Sequence, residues 1–326
     1  MVGGITRLTH SGLSISEWKP ITGSLPPLNE VEWNNEFQLY KTTPEFKIKN
    51  SHFNLTQFKS IYWWEYIHRT LGRVLGLLFL FPFLFLIRKN KLKKKLKQRL
   101  IILFLLGCLQ ASIGWLMVKS GLQKNPQVSH LRLATHLTMA FSIVAYILWI
   151  IFCLSHKHKS HHPIKIKMRL PMMVLLILFF LQIIYGALVA GLKAGYLFGT
   201  FPTMGDAWVD DSIFWAYREN GLSSLVNFAA SVQFIHRVLG FLIFIIILWL
   251  FLKIIKLDNA PKRLRKMLYL LFFLILIQVV LGIATILMHV PTSLALTHQF
   301  TALICFAVLI YTLHICYYSK NYHSCH

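Results

Sequence analysis

A short string of residues occurs twice in this chain. Ile67-His68-Arg69-Thr70-Leu71-Gly72 returns 168 positions later as Ile235-His236-Arg237-Val238-Leu239-Gly240. Leu109-Gln110 with Gly114 returns at the same offset as Ile277-Gln278 with Gly282, and Thr135-His136 with Ala140 returns 162 positions later as Thr297-His298 with Ala302. His68, His136, His236 and His298 are the residues that both recur and could bind a metal. One histidine from each of two helices can face across a four-helix bundle at a common depth. Such a pair supplies two axial imidazoles to a heme lying between the helices. His68 would pair with His136, and His236 with His298. A lone intramembrane histidine is as readily a hydrogen-bonding link between helices. Four at repeated positions favour the functional reading, because ionisable groups are costly inside a membrane. No Asp, Glu or Cys recurs beside each pair, which argues against a metal other than heme iron.

The two copies differ where chemistry could differ. Glu65 lies three residues before His68, and Gln233 lies three before His236. Positions i and i+3 share a helix face, so Glu65 belongs beside whatever His68 binds. A carboxylate near the membrane interior resists ionisation, which suits it to proton transfer; Gln233 keeps the shape and cannot titrate. The asymmetry predicts a reactive first half and a spectator second half. The competing reading is a glutamate placed by the helix dipole near a helix start. Arg69, Arg73 and Arg237 are candidates for binding heme propionates, since guanidinium grips a carboxylate in a bidentate fork; snorkelling toward headgroups is the alternative.

The elements that must position these residues are membrane helices. Apolar residues make up 56% of the 326 and charged residues only 14%, with a mean hydropathy of +0.58. A soluble protein of this length needs nearer a quarter of its residues charged. The net charge of +23 sits in short runs between apolar stretches, as in cytoplasmic membrane loops, so nucleic acid is not the expected partner. Apolar runs of about 20 residues occupy 62–87, 100–119, 132–154, 171–191, 231–253, 267–288 and 294–317. The densest basic runs lie at 88–99, 155–170 and 254–266, which places them and the C-terminus in the cytoplasm and the long segments 7–61 and 192–230 outside. The five cysteines avoid the outside segments and read as packing residues. His156, His158, His161 and His162 form a solvated cytoplasmic cluster.

The repeat then sets the architecture: an all-α integral membrane protein, a tandem duplication of a four-helix transmembrane bundle. Residues 1–154 form the N-terminal half-bundle, 155–170 a basic linker and 171–326 the C-terminal half-bundle. Gly3 and Gly12 line up with Gly186 and Gly195, so Met1 falls where the repeat is deep inside a helix. The first helix of the first repeat is expected to be truncated, with its missing part supplied by about 15–20 upstream residues.

Together these segments resemble the heme A synthase family: VGGITRLTHSGLS, WKPITGSLPP, EYIHRTLGR, LQASIGWLMVKSGL, THLTMA, FIHRVLG and LTHQFTA. The resemblance covers nearly the whole chain and is specific in combination. It implies eight transmembrane helices in two four-helix halves, and oxidation of the C8 methyl of heme O to the formyl of heme A for terminal oxidase assembly. His236 and His298 would ligate a resident heme b. His68 and His136 would hold the substrate heme, with Glu65 the essential carboxylate. The absence of outer-loop cysteines is similar to the proteobacterial and mitochondrial-type branch. The location implied is a bacterial cell inner membrane. Candidate partners are heme O, membrane lipid, a heme O synthase, an electron donor and a second copy of the chain. A diheme electron carrier and a heme transporter or chaperone are the alternatives; the first needs no difference between Glu65 and Gln233, and the second forms no product.

Overall fold

The computed structural model describes residues 2–17, 22–123, 126–155, 168–257 and 260–318. These hold α1 (Val2–Leu8), α2 (Glu30–Lys41), α3 (Pro44–Ile48), α4 (Leu55–Arg88), α5 (Lys94–Gly121), α6 (His130–Ser155), α7 (Arg169–Gly191), α8 (Asp211–Asn220), α9 (Ser224–Asn227), α10 (Ala229–Ile255), α11 (Lys262–Leu287) and α12 (Thr292–Tyr318), and no strand. Seven of the helices, α4, α5, α6, α7, α10, α11 and α12, are long and apolar enough to cross a bilayer. The shortest has 23 residues, roughly 35 Å of helix against a hydrocarbon core of about 30 Å. The protein is an all-α integral membrane protein. The resemblance implied eight spanning helices; the described residues hold these seven and the seven-residue α1.

Each apolar run expected from the sequence falls within one of these helices to within a residue. The largest difference is at α4, which starts at Leu55 rather than 62. Asn54 caps it reciprocally: its side chain accepts from the Gln57 N–H at 3.0 Å, and its own N–H donates to Gln57 Oε1 at 2.9 Å. A capping box of this kind closes orphan donors of the first turn, so polar residues that hide the helix from a hydropathy scan are what begin it. Glu65 and His68 then follow on one face, within four turns of that fixed start.

The chain forms two compact units, Met1–Arg132 and Leu133–His326. The repeat predicted a boundary at the basic linker after 154; by packing, all but the start of α6 lies with the later helices. Phe141 of α6 meets Phe306 of α12 edge-on at 5.2 Å, and Trp149 and Phe152 pack against His314 and Tyr311. Residues 156–167, with the histidine cluster and most of the linker, lie outside the described residues.

In the first unit an aromatic cluster seats α2 and α3 on the start of α4. Phe58 is fully buried, stacked on Phe37 at 5.2 Å and on Tyr40 at 5.0 Å, and Trp33 meets Tyr62 edge-on at 5.0 Å. Side chains of this size bury 150–250 Å² each and dominate local stability. The core of the second unit is built from Leu175 of α7, Ile247 and Leu250 of α10, Leu264 and Leu268 of α11, and Phe306 and Leu309 of α12. Lipid tails are as apolar as these residues, so close van der Waals packing rather than escape from water holds the helices together.

Candidate functional site

Two antiparallel helix pairs in the second unit seat two histidines in the same way. On α7, Gln182 and Gly186 are four residues apart and share a face. His236 of α10 lies against them: a Cβ on Gly186 would stand 3.2 Å from the imidazole Cε1, and Gln182 Nε2 is 3.4 Å from His236 Nε2. On α11, Gln278 and Gly282 repeat the spacing. A Cβ on Gly282 would stand 3.1 Å from Cε1 of His298 in α12, and Gln278 Nε2 is 3.2 Å from His298 Nε2. A bare glycine backbone admits the ring where any side chain would displace it. In both histidines, Nδ1 is buried with no hydrogen-bond partner among the described residues, an arrangement that costs energy unless another group takes up the ring's second nitrogen.

The first unit repeats part of this. His68 of α4 packs on Gly3 of α1, whose added Cβ would meet Nε2 at 3.0 Å; Gly3 is the counterpart of Gly186. His136 lies on α6 in the second unit and is half-buried, as are His68, His236 and His298. The structure therefore brings His236 and His298 into one unit and leaves His68 and His136 in different ones.

Glu65 is the only acidic residue in the seven long apolar helices, and it is 2% exposed. Both oxygens of its carboxylate accept hydrogen bonds. Ser14 Oγ and the Ile15 N–H donate to Oε2 at 2.7 and 2.9 Å, and Arg69 donates to Oε1 at 2.6 Å. The turn after α1 is pinned by Leu13, which fits against Gly121 at the end of α5, and by Arg69, which also donates to the Ile15 carbonyl at 3.2 Å.

The second half has the same clamp with opposite polarity. Arg237 donates to the carbonyls of Phe198 at 3.2 Å, Thr203 at 2.9 Å and Pro202 at 3.5 Å, and Gln233 donates to Phe198 O at 3.3 Å. Phe198 is the counterpart of Ile15 by the Gly3-to-Gly186 alignment. Glu65 thus accepts from its turn where Gln233 donates to its turn, so the exchange of Gln for Glu is matched by a change in what the facing backbone offers. The arginines read from the sequence as propionate ligands hold these turns in both halves; Arg73, one turn beyond Arg69 on α4, is half-buried.

Reading the residues alone passed over Ser14, which no repeat marks. Gln278, Gly186 and Gly282 entered it only as markers of the duplication. The recurrence of Gln and Gly at a fixed distance from each other was the signal, since a Gln and a Gly one turn apart can face a single ring on the next helix.

A family model described as "Cytochrome oxidase assembly protein" matches residues 1–310. The chain is similar to the heme A synthase of Wolbachia pipientis subsp. Culex pipiens (strain wPip), at 41% identity over 96% of this chain and 91% of that one. It is also similar to the heme A synthase of Ehrlichia ruminantium (strain Gardel), 45% identical over 96% and 87% of the two chains. That of Bradyrhizobium sp. (strain ORS 278) is 42% identical over 95% and 85%.

Proposed function

The chain belongs to the heme A synthase family of cytochrome oxidase assembly proteins, and from that premise we propose that it oxidises the C8 methyl of heme O to the formyl of heme A. Methyl to aldehyde is a four-electron oxidation. Two oxygenations satisfy it: each takes one O2, two electrons and two protons, inserts one oxygen into a C–H bond and releases one water. The gem-diol so formed loses a further water to leave the formyl group. The observation that carries this reading is Glu65, the one acid in the membrane helices, on the His68 face and opposed in the second half by a glutamine.

His236 and His298 are the residues proposed to hold a resident heme b. The residues fit the group: imidazole donors, glycine seats that a Cβ would fill, and a buried Nδ1 on each ring without a partner among the described residues. Held by these two imidazoles, such a heme would supply one-electron transfer. His68 and His136 are the proposed holders of the substrate heme. Ser14, the Ile15 N–H and Arg69 orient the Glu65 carboxylate, which is proposed to deliver protons to the reacting centre. Arg237 keeps a buried Nε without a partner among the described residues, and with Arg69 and Arg73 it is the proposed cation set for propionates. The basic loops are placed in the cytoplasm of a bacterial inner membrane and segments 7–61 and 192–230 outside, following the positive-inside rule. A heme O synthase, an electron donor and a second copy of the chain are the proposed partners beyond heme O and lipid.

Expression in cells that make heme O and lack heme A tests the activity. Extracted pigment should contain heme A by mass. Heme O alone, from membranes holding the folded protein, would end the synthase reading and leave an electron carrier or transporter.

A further inference from the structure

We propose that Gln182 and Gln278 are positioning residues that take the N–H of the ring nitrogen not bound to iron in His236 and His298, and thereby set the orientation and electron donation of both imidazoles. The proposal rests on the reading of these histidines as heme ligands, and it extends that reading to two residues on the neighbouring helices.

Three observations support it. Each carboxamide approaches a ring nitrogen, at 3.4 Å for Gln182 and 3.2 Å for Gln278. In both pairs the amide Oε1 and the imidazole Nδ1 are buried without partners among the described residues, so each pair holds one acceptor and one ring nitrogen still to be satisfied. The two pairs are built alike on different helices, with Gly186 and Gly282 one turn beyond each glutamine; Gly240, one turn beyond His236, reciprocally admits the Gln182 amide, which lies 3.4 Å from where its Cβ would be. A packing accident need not recur with the same residue types at the same spacing.

The chemistry fixes the sense of the bond. A neutral imidazole has one accepting and one donating nitrogen, and a carboxamide has one atom of each kind; which amide atom faces the ring is decided by hydrogen bonding. A ligating histidine gives one lone pair to the metal, and its other nitrogen donates its proton to an acceptor, which raises the basicity of the ligand. Here the acceptor on offer is the glutamine oxygen. A stronger acceptor pushes electron density onto iron and favours the ferric state, so removing it should raise the midpoint potential.

The test is spectroelectrochemical titration of the low-spin heme in the purified full-length protein. Gln182→Met and Gln278→Met keep side-chain length without an amide, and each should shift the midpoint potential upward, the double variant furthest. Gln182→Glu and Gln278→Glu offer a stronger acceptor and should lie below the Met variants. Unchanged potentials in both Met variants would overturn the proposal, and so would equal shifts in the same direction for Met and Glu, which is what altered packing gives. A His236→Ala protein that kept its low-spin heme would instead overturn the ligand reading. Titrating only the monodisperse fraction keeps poorly folded variants from deciding the result.

Discussion

Replacing Glu65 with glutamine separates chemistry from architecture, because the structure gives the cost of each. The carboxylate takes three donors: Ser14 Oγ and the Ile15 N–H on one oxygen, and Arg69 on the other. A carboxamide can satisfy only one side. Turned one way, its NH2 meets the Arg69 guanidinium; turned the other, it meets the Ile15 N–H, which cannot accept. Hydrogen bonds to charged groups contribute about 1.5–3 kcal/mol each, and breaking a fully buried ion pair costs about 3–5 kcal/mol. Arg69 retains 16% exposure and is partly solvated, so about 2–4 kcal/mol is the expected local loss. That loosens the turn at residues 11–15 and is less than the stability of a typical domain. The chemical loss is larger: a positioned general acid or base contributes about 10²–10⁴ in rate. Heme A per mole of protein in heme O-producing membranes is the assay, with Ser14→Ala as comparison. Ser14→Ala removes one donor, costs about 1.5–3 kcal/mol and leaves the titratable group in place. Glu65→Gln should make little or no heme A while Ser14→Ala makes most of the normal amount. Near-normal output from Glu65→Gln would refute the reasoning, as would equal losses in the two variants.

Gly3→Val places a side chain where a Cβ already meets His68 Nε2 at 3.0 Å. A misplacement of about 1 Å can cost on the order of 10²-fold in rate, so heme A formation should fall steeply while the low-spin heme spectrum survives; spectra and product on the same preparation check this. Burial and then the charge of Glu65 push the Glu45 carboxyl up from 4.5 to about 7, against Lys49 and the Tyr40 hydroxyl. The folded state favours its protonated form, so the stability it gives the segment around α2 and α3 is full below pH 4.5 and is lost as pH rises through 7, on the order of 3 kcal/mol in all. Hydrogen exchange in residues 30–53 should quicken over that range, and Glu45→Gln should flatten the response.

Most of the fold was legible because membrane helices announce themselves by length and apolarity. Six of the seven spanning helices match the apolar runs to within six residues at each end; α4 begins seven residues early because its first turns are polar and set by Asn54 and Gln57. The histidines were legible through duplication. The surroundings of Glu65 were not, since Ser14 and the Ile15 N–H lie some 50 positions away and one of them is backbone. A sequence comparison of Glu65 with Gln233 shows a change of charge, whereas the structure shows that the facing turn changes from donor to acceptor with it. The packing of α6 with the later helices was also hidden, because the repeat records ancestry and the packing records which aromatic faces meet.

The division of roles between the halves is tested most directly by the optical spectra of four purified variants. His236→Ala and His298→Ala should each abolish the low-spin b-type spectrum, because each removes one of the two imidazoles proposed to hold that heme. His68→Ala and His136→Ala should keep most of it and form no heme A. Equal loss of resident heme in all four would contradict the account.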